Sequence, residues 1–134
     1  MDASELCYMP ALELGEAIRA KKVSPVEVVD AVLARIERLN PTLNAYCTVT
    51  AAAARAAAKE AEATVMRGEV LGALHGLPVS IKDLVATKGV RTTHGSKLYE
   101  QFIPDEDAPV VERLKRAGAI ILGKTNTPEF GHNA

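Results

Sequence analysis

The chain has 134 residues, 48% hydrophobic and 25% charged, enough for one domain of ordinary globular composition. Sixteen Lys and Arg against seventeen Asp and Glu, 4% aromatic residues and no tryptophan leave neither a basic footprint for nucleic acid or an anionic membrane nor platforms for stacking bases. Cys7 and Cys47 stand apart, outside any C-x-x-C or His-rich setting, which points away from a metal site.

Acids at Asp2 and Glu5 occupy the place where a signal peptide is basic, and no apolar h-region follows. No apolar run approaches the roughly 20 residues of a membrane span. The expectation is a cytoplasmic protein with free thiols, a single disulfide being the alternative.

Residues 1–9 read as a lead-in, and Pro10 to about Lys21 as a short amphipathic helix. Ser24-Pro25 opens the next helix as N-cap and first helical residue, with Glu27 as the capping-box partner. Val28, Val32, Ile36 and Leu39 form its apolar stripe, and Asn40-Pro41 is expected to stop it. Asn44 to Val49 reads as a strand. Thr48 or Thr50 would cap a helix from about Ala51 to Arg67, whose alanine run favours close packing on a neighbour, ended by Gly68. A loop at 72–76 leads into a strand. Polar loops follow at 85–97 and 100–106. Asp107 would cap a helix over 108–117, closed by Gly118. Residues 119–122 read as a buried strand, and residues 123–134 as a polar tail. Helices alternating with short apolar strands argue for an α/β fold, with helices on a few strands of a mixed sheet.

The chemistry concentrates at His75-Gly76-Leu77-Pro78-Val79-Ser80-Ile81-Lys82-Asp83-Leu84. Leu77, Val79 and Ile81 alternate with Pro78, Ser80 and Lys82, a period of two that gives one apolar face and puts Lys82 on the other beside Ser80. Covered on both faces, such a lysine is driven toward its neutral form and can take a proton from a hydroxyl. Ser80 lies roughly 7 Å along the strand, too far to be that hydroxyl. Residues 118–125 match G-x-x-x-x-G-K-[ST] only formally. The four inner residues look like a strand, so the glycine loop that cradles phosphate is not expected. Asp105-Glu106-Asp107 reads as a turn and N-cap, and His75 and His94 as turn residues.

Three segments carry a resemblance. Residues 24–46 (SPVEVVDAVLARIERLNPTLNAY), 74–96 (LHGLPVSIKDLVATKGVRTTHGS) and 105–131 (DEDAPVVERLKRAGAIILGKTNTPEFG) are similar, in order, to the N-terminal part of amidase signature family enzymes. The resemblance implies a larger fold in which these strands belong to one mixed sheet. It implies amide hydrolysis, carboxylic amide to acid plus ammonia or amine, by a Ser-cisSer-Lys triad. A serine attacks the carbonyl and a second serine, in a cis peptide linkage, relays its proton to the lysine. Lys82 matches that lysine. It implies no cofactor and a small-molecule amide as substrate. Asn126, Thr127 and Phe130, in the loop leading toward the active site, are the pocket candidates.

Both family serines fall downstream of the TNTPEFG loop. Ser4, Ser24, Ser80 and Ser96 match neither, and no GGSSGG-like stretch occurs. Residues 1–134 are therefore expected to be the N-terminal portion of an amidase signature domain, inert alone, and prone to associate through unpaired sheet edges. A non-catalytic interaction domain is the alternative from another class. TTHGS (92–96) and NTPEFG (126–131) resemble simple amidases more than the catalytic subunits of glutamyl-tRNA amidotransferases, which stand as the second branch.

Overall fold

The computed structural model describes residues 2–132. In chain order they form α1 (Ala3–Tyr8), α2 (Ala11–Arg19), α3 (Pro25–Leu43), β1 (Tyr46–Val49), α4 (Ala51–Arg67), β2 (Pro78–Lys82), α5 (Pro109–Arg116) and β3 (Ile120–Thr125). Short 3-10 turns lie at Lys97–Tyr99 and Glu129–Gly131. The sheet order is β1-β3-β2, with β3 antiparallel to β1 and parallel to β2. This is the mixed α/β arrangement the sequence implies.

Helix α3 is the shared wall of two apolar clusters. Val28 and Ala31 pack with Leu6, Leu14, Ile18, Val23, Val65 and Leu77. Val29 and Leu33 pack with Ile120 and Leu122 of β3 and with Ala54, Ala58 and Ala61 of α4. Alanines at i, i+4 and i+7 let α4 lie close against α3 and the sheet. The α3 capping box forms as expected: Val26 N donates to Ser24 Oγ at 2.9 Å, and Ser24 N to Glu27 Oε2 at 2.8 Å.

Five elements depart from expectation. The lead-in contains α1, capped by Asp2 and Glu5 in a reciprocal box. Helix α3 runs through Pro41 to Leu43, because a proline in a last turn removes only one N–H. It ends at Asn44, left-handed at φ 50°, whose N–H donates to Asn40 O. Thr50 takes the N-cap position of α4, but its side chain makes no capping bond: its hydroxyl donates to Ile121 O at 3.2 Å. Asp107 does not cap α5 either. Its carboxylate accepts from Lys88 N and Lys115 Nζ, both at 2.7 Å, and Ala108 takes the N-cap position. Burial raises the Asp107 carboxyl, but the bonds from Lys115 and Lys88 outweigh it, leaving its pKa below the ordinary value. Finally, β3 does not stop at Leu122. It continues through Gly123 and Lys124 to Thr125, which takes Lys124 out of the expected polar tail.

Candidate active site

The site is built where the parallel pair β2–β3 ends. Pro78 and Val79 pair with Ile120 and Ile121, then the register shifts, and Ser80, Ile81 and Lys82 pair with Gly123, Lys124 and Thr125. The shift is a β-bulge. Gly123 has φ 151°, and a Cβ there would stand 2.1 Å from Thr48 O on β1, so glycine alone fits. Because the strand alternates, the bulge sets Lys124 on the face of Ile81 and Val79, and Thr125 on the face of Lys82 and Ser80.

The two lysines therefore meet opposite surroundings. Lys82 is exposed, and its ammonium has no hydrogen bond or ion pair among the described residues. This sheet face is open to solvent among the described residues, so the condition for a desolvated lysine, cover on both faces, does not hold here. Ser80 is also exposed and unbonded to it. The backbone around Lys82 is firmly held. Asp83 N donates to Thr125 O, and Val85 N to Lys82 O, both at 2.9 Å. Asp83 is fully buried. Its Oδ2 accepts from Thr93 N at 3.2 Å and from the Thr93 hydroxyl, while Oδ1 has no partner among the described residues.

Lys124 is fully buried. Its ammonium donates to Val85 O, to Thr87 Oγ1 at 2.9 Å and to Thr92 Oγ1 at 2.8 Å. Burial lowers its pKa to about 8, partly opposed by the charges of Asp83, Cys47 and Asp107. With Lys124 spent on these oxygens and residues 120–125 extended, the formal phosphate-loop motif forms no phosphate cradle. The Cys47 thiol on β1 is only partly shielded from solvent, and that partial desolvation, then the nearby Asp83, raise its pKa. No cluster of metal-ligating side chains occurs among the described residues.

The three pocket candidates separate. Asn126 is committed to the chain around it: its Nδ2 donates to Asn44 O and its Oδ1 accepts from Thr127 N. The Thr127 hydroxyl donates to Pro128 O. Phe130 is half exposed, sits at φ 48°, and packs edge-on against Tyr99 with centroids 6.1 Å apart. His94, at φ 54°, accepts from Phe130 N through its carbonyl, donates its own N–H to Asp83 O, and lies against Tyr99 and Phe102. Asp83 thus links Lys82 to the His94–Phe130 aromatic group through backbone bonds. His75 donates from Nε2 to Ala61 O, 3.0 Å away. An open cleft of about 400 Å³ lies elsewhere, between α4 and the 87–90 loop, and Lys82 does not line it.

Sequence reading singled out Lys82, took Lys124 only as part of a formal phosphate-loop match, and gave Asp83, Thr87 and Thr92 no role. The available signal was a lysine and threonine directly after an apolar strand, together with the acid beside Lys82.

Comparison with known proteins places this geometry. The amidase family model matches residues 27–134. A glutamyl-tRNA(Gln) amidotransferase subunit of Anaeromyxobacter dehalogenans is 50% identical over 96% of the chain, and its counterpart in Carboxydothermus hydrogenoformans 49% over 94%. The peptide amidase of Stenotrophomonas maltophilia superposes with a TM-score of 0.88 at 31% identity, over 96% of this chain and 26% of that one. The chain spans about a quarter (26%) of the length of the curated relatives it matches. No helix among the described residues is long and apolar enough to cross a membrane. By sequence and fold together, the chain belongs to the amidase signature family, whose N-terminal portion it represents.

Proposed function

We propose that Lys82 is the general base of a serine amide hydrolase, and that residues 1–134 are the base-bearing N-terminal portion of its amidase signature domain. The observation that carries this is a lysine at the end of a strand whose backbone is fixed on both sides while its ammonium is left free. In the complete site a serine oxygen would attack the amide carbonyl, and its proton would pass through a relay serine to neutral Lys82. Lys82 would return the proton to the departing nitrogen as the C–N bond breaks, and water would then release the acid. Neither serine is among these 134 residues, and none of the four serines present is bonded to Lys82. Covering Lys82 with the rest of the domain would supply the desolvation that makes the base neutral. Phe130 would form an apolar wall of the acyl pocket, with Asn126 and Thr127 shaping the loop behind it.

The branch is better supported as transamidation than as simple amide hydrolysis. Identity of 50% to an amidotransferase subunit exceeds the 31% to peptide amidase, despite TTHGS and NTPEFG. In that reading, hydrolysis of a small carboxylic amide at Lys82 would release the ammonia to be transferred, with glutamyl-tRNA as the acceptor that the relatives' name gives. A cytoplasmic setting agrees with the two free thiols.

The test joins residues 1–134 to the remaining three quarters of the Anaeromyxobacter protein. The hybrid is expected to release ammonia from a small carboxylic amide, and the isolated chain is expected to release none. Hydrolysis by the isolated chain, lost on Lys82→Ala, would contradict the proposal.

A further inference from the structure

We propose that Lys124 is a positioning residue for Lys82: its buried ammonium fills the centre of the 85–92 loop and ties the end of the Lys82 strand to β3. The inference rests on Lys82 being the base. The loop leaves β2 immediately after Lys82 and closes on itself. Val85 N bonds back to Lys82 O, Thr93 bonds Asp83, and His94 N bonds Asp83 O. At its centre stand three oxygens, Val85 O, Thr87 Oγ1 and Thr92 Oγ1, and the three protons of one ammonium satisfy them.

The polarity of that centre is fixed. The Thr87 hydroxyl donates to Val85 O and the Thr92 hydroxyl to Val90 O, each at 3.1 Å. Both hydroxyl protons are spent, so lone pairs face inward and only a donor fits. An apolar side chain of equal volume would leave these acceptors dry and unpaired. The Gly123 bulge turns Lys124 toward the loop while leaving Lys82 on the opposite face. The carboxylates nearest in charge are Asp83 and Asp107, with the Cys47 thiol beside them. None of these is within bonding distance of the ammonium, so the loop oxygens hold it. One cation thus fixes both neighbours of the Lys82 peptide: Thr125, next in chain to Lys124, accepts from Asp83 N, and Val85, bonded to Lys124, donates to Lys82 O.

The experiment reads loop and lysine separately. In the 134-residue chain, Lys124→Met is expected to speed amide exchange of residues 85–94 on the order of tenfold or more while α3 and α4 keep their protection. The Lys82 Cε resonance is expected to move toward that of an unstructured lysine. Thr87→Val with Thr92→Val keeps the cation and removes two acceptors, and is expected to give the same loop-selective change. In Lys124→Ala, n-propylammonium is expected to restore protection and n-propanol is not. Equal loss in α3, α4 and the loop, or an unmoved Lys82 resonance, would overturn the proposal. These readings need no turnover. If Lys82→Ala leaves the hybrid enzyme active, the base reading fails while the tie stands. If Lys82→Ala abolishes activity but Lys124→Met leaves kcat unchanged, the tie fails alone.

Discussion

Gly123 decides where both lysines point. An alanine there would carry its Cβ to 2.1 Å from Thr48 O, in a backbone region that L-residues avoid. Gly123→Ala is therefore expected to destabilise the chain by about 3 kcal/mol or more, read from urea unfolding. A loss under about 1 kcal/mol would show that the bulge relaxes freely. The Lys124 pKa, lowered from 10.5 to about 8, makes stability depend on pH with a definite sign. Between those values the unfolded chain holds the proton and the folded chain has released it, so raising pH through this window favours folding. The shift corresponds to at most about 3 kcal/mol. Wild-type stability is expected to gain on Lys124→Met from pH 8 to 10.5, and no relative gain would contradict a depressed pKa. The strand bearing Lys82, and the face that lysine takes, were legible because β2 alternates regularly. The place of Lys124 was not, since the apolar run ends at Leu122 and nothing in the residues beyond it shows that the strand continues past the Gly123 bulge. Its partners, Thr87 and Thr92, are also more than thirty residues away.

Among the elements, α3 carries the most. It joins both apolar clusters, and its cap also reaches α4, because the Ser24 hydroxyl bonds Glu62. Ser24→Ala is expected to cost about 1 kcal/mol, measured as a lowered unfolding midpoint, and an unchanged midpoint would remove the capping box from the account. Local chemistry of this kind was readable in advance: Ser24-Pro25-Glu27 opened α3, and the same logic in Asp2 and Glu5 opens α1. Long-range competition was not readable. Asp107 looks like a cap until Lys88 and Lys115 claim its carboxylate, and Thr50 until Ile121 O takes its hydroxyl. Pro41 failed as a stop because breaking signals are weak where a helix is ending anyway.

At the scale of the molecule, three strands leave two edges, and the strand bearing Lys82 is one of them. Leu98, Ile103 and Phe130 are more than half exposed. Open edges and apolar side chains together favour association. Sedimentation of residues 1–134 is expected to show mass rising with concentration, whereas a monomer with a concentration-independent melt would contradict this. The alternation of helices and short strands made the α/β class legible. The order β1-β3-β2 was not, because it depends on pairings between segments up to about eighty residues apart. The central claim is that Lys82 is the base, and the hybrid enzyme tests it most directly. Lys82→Ala is expected to reduce amide hydrolysis by a factor on the order of 10³ or more while the protein stays folded, with Ser80→Ala close to wild type. A folded Lys82→Ala hybrid that hydrolyses amide at the wild-type rate would contradict it.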